Sequence, residues 1–416
     1  MSSEKNLLQW LTYIESFHPE EIELGLERIR IVAEKLSLLP FNFPVILVGG
    51  TNGKGSCVAM LESLALQSNP NVCCYTSPHL VDFNERIRIN GKNVDVQQLV
   101  DAFEQIESMR DQTPLTFFEF TTLAALLIFS KNKPDLVVLE VGLGGRKDAT
   151  NIVEPDVSII TTVDIDHTQW LGNDIKQIAY EKAGIMRNDK HALIGDKATY
   201  DLLVDVAANF HKEMSLIDIK NRNIAGICQQ SAINHYNLHA QNIALAVESY
   251  SLLFKISLTE EYIASALKNI QFAGRFDLIS INPDILVDVA HNVQAVGRLK
   301  AQLAAFKKEK NIRLTYAVCG MMKDKAINEV ISIIDGEIDE WLFVDLDTPR
   351  ASSADSIRQA YLKSGLQKNV ETYPDVQSAL TIATAKMNTN DLLLVFGSFI
   401  TVGEAVKICK GHEPIS

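Results

Sequence analysis

The sequence predicts an α/β protein: a P-loop domain with a doubly wound, mostly parallel sheet over residues 1–273, then a smaller Rossmann-like α/β domain over 274–416. Three observations carry this. Short, nearly continuous apolar runs rich in β-branched residues alternate with helix-length segments in both halves, as expected of parallel strands buried on both faces. The first run leads directly into the glycine-rich stretch Val48-Gly-Gly-Thr-Asn-Gly-Lys-Gly-Ser56. A length of 416 residues, 47% hydrophobic and 22% charged, supports more than one core.

In chain order, the first-half strands are expected at Pro44–Val48, Val72–Tyr75, Leu136–Leu139 and Val157–Val163, with helices including Ser56–Leu66 and Phe117–Phe129. Polar and apolar residues alternate from Arg86 into Asn90-Gly91, a hairpin-turn signal. The second series has strands at Ile285–Val289, Leu314–Val318, Trp341–Val344 and Leu392–Phe396, which suggests a sheet of about five parallel strands. The boundary falls near Ala273-Gly-Arg-Phe276, without a Pro/Gly/Ser linker.

A formal net charge of −13 argues against general nucleic-acid binding, which needs concentrated Lys and Arg. The cysteines (57, 73, 74, 228, 319, 409) lack CxxC spacing and read as reduced structural residues. The start, MSSEKNLLQW, has no apolar signal core, and no apolar run is long enough to span a bilayer. A cytoplasmic protein without a membrane partner is expected.

In open α/β sheets, ligands bind beyond the carboxyl ends of the strands. The first strand is followed by GGTNGKGS, whose glycines turn backbone N–H groups toward phosphate while Lys54 supplies a cation. The helix beginning near Ser56 adds its positive dipole end. The second strand leads to Thr76-Ser-Pro-His79, where the Ser77 hydroxyl suits Mg²⁺; the third ends at Glu140, as a Walker-B strand does; the fourth runs into Asp164-Ile-Asp-His167. Each feature alone has a plainer explanation: a structural turn, a solvated carboxylate, a hydrogen-bonded histidine. Their co-location at successive strand ends points to an Mg-nucleotide site. A second glycine loop, Gly142-Leu-Gly-Gly145, offers a ligand close approach to backbone. Lys182 lies on a helix beginning near Asp174. As a solvated helix residue it needs no further account; facing the metal site, its pKa would fall and its neutral amine would take up CO₂ as a carbamate, an oxygen ligand for Mg²⁺.

The segments GTNGKGS, TSPHL, EVGLGGRKDATN, DIDHTQWLG, EKAGIMR, AGRFD, DVAHN and FGSF occur in the order found in folylpolyglutamate synthase/dihydrofolate synthase. The chain resembles that family, a relative of the Mur ligases, over nearly its whole length. The resemblance implies ATP held between the two domains by Asn52, Gly53, Lys54, Gly55 and Ser56, with Asn242, Arg275 and Asp288 on the adenosine side and His291 beside the phosphates. It implies Mg²⁺, as a pair of ions, on Ser77, Glu140 and His167, with Lys182 as a carbamoylated lysine. Lys54, His167 and Lys182 become the catalytic set, and K⁺ is a further expected cofactor. The pterin-containing substrate falls on Glu23-Leu24-Gly25, Thr116-Phe117-Phe118, Arg146 and Asp148, although Phe117 and Phe118 also suit ordinary core and Arg275 an interdomain salt bridge. Two positions depart from the pattern: Gly50 stands where relatives often carry Ala, a minor change, and Glu23 where they often carry Asp.

The implied reaction activates a carboxylate as an acyl phosphate, which the amine of L-glutamate then attacks, with His79 as candidate base. The implied substrates are dihydropteroate, reduced folates and L-glutamate, and the implied state is a monomer without nucleic acid. A dedicated folylpolyglutamate synthase, a Mur-type peptide ligase and a non-catalytic nucleotide switch are the alternatives.

Overall fold

Strand β1 (Val45–Gly49) shows why its sequence is apolar throughout: Val45 and Leu47 enter one core, Ile46 and Val48 the other, and all are fully buried. The structure, a computed structural model, describes residues 5–18, 22–68, 71–209, 214–217, 224, 226, 227, 239–270 and 273–411. Helices α1 (Leu7–Glu15) and α2 (Glu27–Lys35) precede β1, and α3 (Lys54–Leu66) follows it. Then come β2 (Val72–Tyr75), the hairpin β3 (Ile87–Ile89) and β4 (Lys92–Asn93), and helices α4 (Val96–Arg110) and α5 (Phe117–Asn132). The domain continues through β5 (Leu136–Glu140), β6 (Val157–Ile160), α6 (Thr168–Leu171), α7 (Ile175–Ala183), β7 (His191–Ile194), α8 (Lys197–Asn209), β8 (Ser215–Leu216), α9 (Ala240–Phe254) and α10 (Glu260–Lys268). The sheet order is β4-β3-β2-β5-β1-β6-β7-β8, parallel except for the hairpin. Helices α3, α9 and α10 cover one face; α1, α2, α4, α5, α7 and α8 the other.

The second sheet is built from β9 (Asp277–Ser280), β10 (Asp284–Asp288), β11 (Thr315–Cys319), β12 (Glu340–Val344), β13 (Asn369–Tyr373) and β14 (Leu392–Phe396), in the order β13-β12-β11-β14-β10-β9. Its helices are α11 (Val293–Lys310), α12 (Ile327–Ile334), α13 (Ala354–Lys363), α14 (Val376–Lys386) and α15 (Phe399–Lys410). β10 to β14 are parallel, as the pattern predicts, and β9 adds an antiparallel edge.

Several details differ from the sequence reading. The run 157–163 is a strand only to Ile160, because Thr161 and Thr162 leave the ladder to bond the loop after β1. The edge strands β8, β9 and β13 lack a fully buried pattern and give little apolar signal. The hairpin turn does occur at Asn90-Gly91, both with positive φ. Among the described residues Cys57, Cys73, Cys74 and Cys319 are buried and unpaired and Cys409 is an exposed thiol, while Cys228 lies outside them. Among the described residues no helix is long and apolar enough to cross a membrane.

The loop after β2 plugs the two domains together. Glu85 accepts from the N–H groups of Leu80, Val81 and Asp82 at 2.8–3.0 Å, presenting Leu80 and Val81 to the core between the second sheet and α14 and α15. A Cβ on Gly403 of α15 would stand 2.1 Å from the Leu80 carbonyl, so glycine is what lets this helix seat there.

The second core has its own anchor in Trp341, whose ring packs on Phe343, Tyr361 and Phe396 and whose indole N–H donates to Asp335 at 2.9 Å. Trp341→Ala is expected to cost about 3–5 kcal/mol in urea unfolding monitored on the second domain. A loss below about 1 kcal/mol would contradict this packing account.

Candidate active site

The loop after β1 is shaped by neighbouring threonines. Thr51 N–H donates to the Thr162 carbonyl at 2.8 Å, Asn52 N–H to Thr162 Oγ1 at 3.1 Å, and Thr161 Oγ1 to the Asn52 carbonyl at 2.7 Å. Gly50 has φ +142, and a Cβ there would lie 1.9 Å from Thr161 Oγ1. In this chain, then, Gly50 in place of Ala is not a minor change: the threonine splint needs the space. Gly53 opens α3 with φ +90, and Asn242 of α9 packs against it. No side chain caps this helix start, leaving its first N–H groups for an anion.

Lys54 bends back to the loop, its Nζ donating to the carbonyls of Gly50 at 3.0 Å and Thr51 at 3.2 Å. Burial lowers its pKa, while Glu140 and Asp166 oppose that shift. Gly55 interrupts the Lys-Ser order and stands between a cation of one domain and a carboxylate of the other: a Cβ there would be at ordinary contact distance, 3.5 Å from Arg275 Nη2 and 3.6 Å from Glu140 Oε2. Ser56, one residue further along α3, is itself buried. Glu140 is 5% exposed; burial raises its pKa, and Lys54 and Arg275 offset part of that. Ser77 donates its backbone N–H to Glu140 at 3.3 Å, which puts its hydroxyl at the same strand end.

His167 and Lys182 line a small cavity together with Lys54 and Asp166. His167 has a left-handed backbone (φ +52), and its buried Nδ1 has no hydrogen-bond partner among the described residues. Burial, then the charge of Lys325, brings its pKa down to about 3. Lys182 is 4% exposed; burial and then Lys54 lower its pKa to about 7. Gly142 and Gly144 of the second glycine loop line this cavity, and Gly145 of the same loop seats the lysine. A Cβ on Gly145 would meet the Glu181 carbonyl at 2.7 Å and Lys182 Cα at 3.1 Å, so the glycine lets α7 pack against the loop. Gly142 is likewise closed over by the Phe118 ring.

The residues assigned to the pterin are held by several separate contacts. Phe118 packs on Tyr75, and Phe117 on Phe83, with the Arg86 guanidinium over both Phe83 and Phe117. Phe117 and Phe118 are half-buried, not sealed in the core. Thr116 caps α5 through a reciprocal bond with Glu119; Glu119 pairs with Arg28, and Arg28 with the exposed Glu23, ahead of half-buried Leu24 and Gly25. Asp148 is buried and accepts from Leu143 N–H and from the Thr150 N–H and hydroxyl, so it shapes its own loop. Arg146 pairs with Glu181 at 2.8 Å. His79 does not fit the role of base. Its Nδ1 accepts from Arg86 at 2.8 Å, and burial, with Arg86 and Lys407 nearby, lowers its pKa to about 3.

From the second domain, Asp288 accepts the N–H groups of Phe276 and Ala290, holding the turn that carries Arg275, while His291 Nδ1 donates to the Val289 carbonyl. Sequence reasoning missed Asp166, Asn292, Gln294 and Lys325. Asn52 donates to Gln294 at 2.7 Å, Asn292 to Asp166 at 2.8 Å, and Lys325 to Asp166 at 2.6 Å. The acidic pair in Asp164-Ile-Asp166 was the available signal; Lys325 carries none in its local spacing.

Among the described residues no group of three or more His, Cys, Asp or Glu side chains is placed to hold a metal ion. The predicted metal set therefore depends on the Ser77 hydroxyl and on Lys182 as well as Glu140 and His167. A buried imidazole nitrogen without a partner, and a buried carboxylate with one long N–H contact, suit a hard divalent cation.

Comparison with known proteins identifies the family. Residues 48–274 match the family model for the Mur ligase middle domain, and residues 274–399 that for the Mur ligase, glutamate ligase domain. The dihydrofolate synthase/folylpolyglutamate synthase of Haemophilus influenzae is 37% identical, the match covering 96% of each chain. The structure of E. coli FolC in complex with DHPP and ADP superposes with a TM-score of 0.86 at 33% identity, covering 98% of both chains. That of the bifunctional folylpolyglutamate synthase/dihydrofolate synthase from Yersinia pestis, complexed with AMPPNP and Mn ion, gives 0.85 at 34% identity, again over 98% of both. The chain therefore belongs to the dihydrofolate synthase/folylpolyglutamate synthase family, within the Mur ligases.

Proposed function

We propose that this chain is an ATP-dependent carbon–nitrogen ligase that joins L-glutamate to dihydropteroate and to reduced folates through an acyl phosphate. The observation that carries the reading is the juxtaposition at Gly55, where Lys54 and the uncapped start of α3 meet Glu140 from one domain and Arg275 from the other. It has the charges needed to hold a triphosphate.

The substrate carboxylate attacks the γ-phosphate; Lys54 and the N–H groups of Gly53 to Ser56 neutralise the charge on the transferring group. A divalent cation, held by Ser77, Glu140, His167 and Lys182 as a carbamate, supplies further neutralisation of the phosphates when bound. The amine of L-glutamate then attacks the acyl carbon and phosphate leaves. Arg275, Asp288 and His291 close the nucleotide side, with Asn242 against the loop. Phe117, Phe118, Asp148, Arg146 and the segment Glu23-Leu24-Gly25 line the pterin side. Residues 1–273 form the ATP- and pterin-binding unit and 274–416 the closing unit, acting as a cytoplasmic monomer without nucleic acid, with K⁺ as an accessory cation.

Lys54→Ala and Glu140→Ala are expected to fold normally and lose at least about 10²–10³-fold in turnover. ADP release measured with glutamate and either dihydropteroate or tetrahydrofolate checks this: the wild type responds to both, and near-normal turnover in either variant would refute the site. A response to tetrahydrofolate alone would make the enzyme a dedicated folylpolyglutamate synthase.

Carbamate formation needs a neutral amine. With a pKa of about 7, Lys182 is expected to give a carbamate signal in carbon-13 NMR with labelled bicarbonate that grows as pH rises through 7 and is absent from Lys182→Met. Linkage gives the stability sign. Between pH 7 and the ordinary value of 10.5 the folded state binds fewer protons than the unfolded one, so stability rises with pH across that window and the lysine costs most below it. Lys182→Met is therefore expected to melt higher than wild type at pH 6; an unchanged or lower melting temperature would contradict its burial as a strained cation.

A further inference from the structure

The carboxylate of Asp166 is shared between two domains. Its Oδ1 accepts the backbone N–H of His167 at 2.7 Å and the Lys325 ammonium at 2.6 Å. Its Oδ2 accepts from Asn292 at 2.8 Å, with His291 Nε2 at 3.7 Å. The side chains of Asp166 and Lys325 are 7% and 6% exposed, so the pair is closed from solvent. Burial pushes the Asp166 pKa up, but His291, His167 and Lys325 outweigh it and hold the group ionised. Asn292 has a second attachment: its amide also donates to Asn52 in the phosphate loop at 3.0 Å, while its carbonyl oxygen caps α11 by accepting from Ala295 N–H.

We infer that Asp166 is a positioning residue and that, with Lys325 and Asn292, it forms a two-point clasp through which docking of the second domain fixes both the phosphate loop and His167. One point joins the start of α11 to Asn52; the other joins the same helix start and Lys325 to the loop carrying His167. The left-handed backbone of His167 is held by the oxygen that binds Lys325, so seating the second domain and orienting the histidine are one event. Separating the domains strips Asp166 of Lys325 and Asn292 and breaks the bond from Asn292 to Asn52. The site is thereby complete only in the closed form, where water is excluded from a reactive intermediate. This goes beyond the proposed reaction in assigning closure to named residues, and it rests on that reading only for its kinetic arm.

The test uses the full-length protein with Asp166→Asn, Lys325→Met and the conservative Lys325→Arg. Small-angle scattering without substrates needs no assumption about the reaction. Asp166→Asn and Lys325→Met are expected to increase the radius of gyration, and Lys325→Arg to keep the wild-type value, with the urea transitions of both cores unchanged. In the ligase assay, kcat is expected to fall by about 10²-fold in the first two variants with a much smaller change in KM for ATP, and to recover substantially in Lys325→Arg. Should Asp166→Asn fail to fold, Lys325→Met, on the opposite domain, carries the same test. Wild-type compactness together with wild-type kcat in Lys325→Met would overturn the clasp. Expansion in a protein lacking ligase activity altogether would instead uphold the clasp and refute the proposed reaction.

Discussion

The structure is organised around buried positive charge at the seam between two sheets. Lys54, Lys182, Arg275 and Lys325 converge there from separate elements, with Glu140 and Asp166 as nearby counter-charges. Ions removed from water are costly unless they are paired and hydrogen-bonded. Elsewhere in the first domain arginines are neutralised locally, as in Arg88 with Glu62, Arg110 with Glu107 and Arg187 with Glu154. At the seam the opposing charges come largely from different strands or different domains, so a complete sheet and a seated second domain are both needed to hold them. Burial lowers the pKa of Lys54 and of Lys182 despite the nearby carboxylates, and a polyanion would relieve that cost on binding.

Glycines and threonines do the mechanical work that lets those charges meet. The threonine splint sets the phosphate loop from behind, and Gly145 lets α7 bring Lys182 beneath the loop. The same economy is seen at Gly403, which seats α15 on Leu80. Such positions carry no chemistry themselves, yet each decides where a charged side chain or a whole domain comes to rest.

Much of this was legible in the sequence because the physics involved is local. Buried parallel strands must be apolar on both faces, so β1, β2, β5, β10, β11, β12 and β14 were visible as apolar runs, and the phosphate loop announced itself by its glycines. Edge strands such as β13, half exposed, need no such pattern. The run after Val157 misled because Thr161 and Thr162 suit a strand by propensity, while their hydroxyls are claimed by the phosphate loop, a contact between segments about a hundred residues apart. The glycine loop after Glu140 reads as room for a ligand, and Gly142 and Gly144 do line the cavity; that Gly145 instead admits α7 shows only in the packing. The roles of Asn292 and Lys325 were hidden for a similar reason, and that of Asp166 was only hinted at by its acidic pair with Asp164, since their meaning lies in a contact between domains. Family resemblance supplied the substrate and many of the site residues, which composition and spacing alone did not.

The account's central claim is that this seam activates a carboxylate by moving a phosphoryl group onto it. The most direct measurement follows oxygen rather than product. Dihydropteroate labelled with ¹⁸O in its carboxylate is turned over with ATP and L-glutamate, and the released phosphate is examined by mass spectrometry. Attack on the γ-phosphate followed by displacement transfers one labelled oxygen to phosphate in each turnover, and that is the result predicted. Phosphate released without label, while the amide product still forms, would contradict the account.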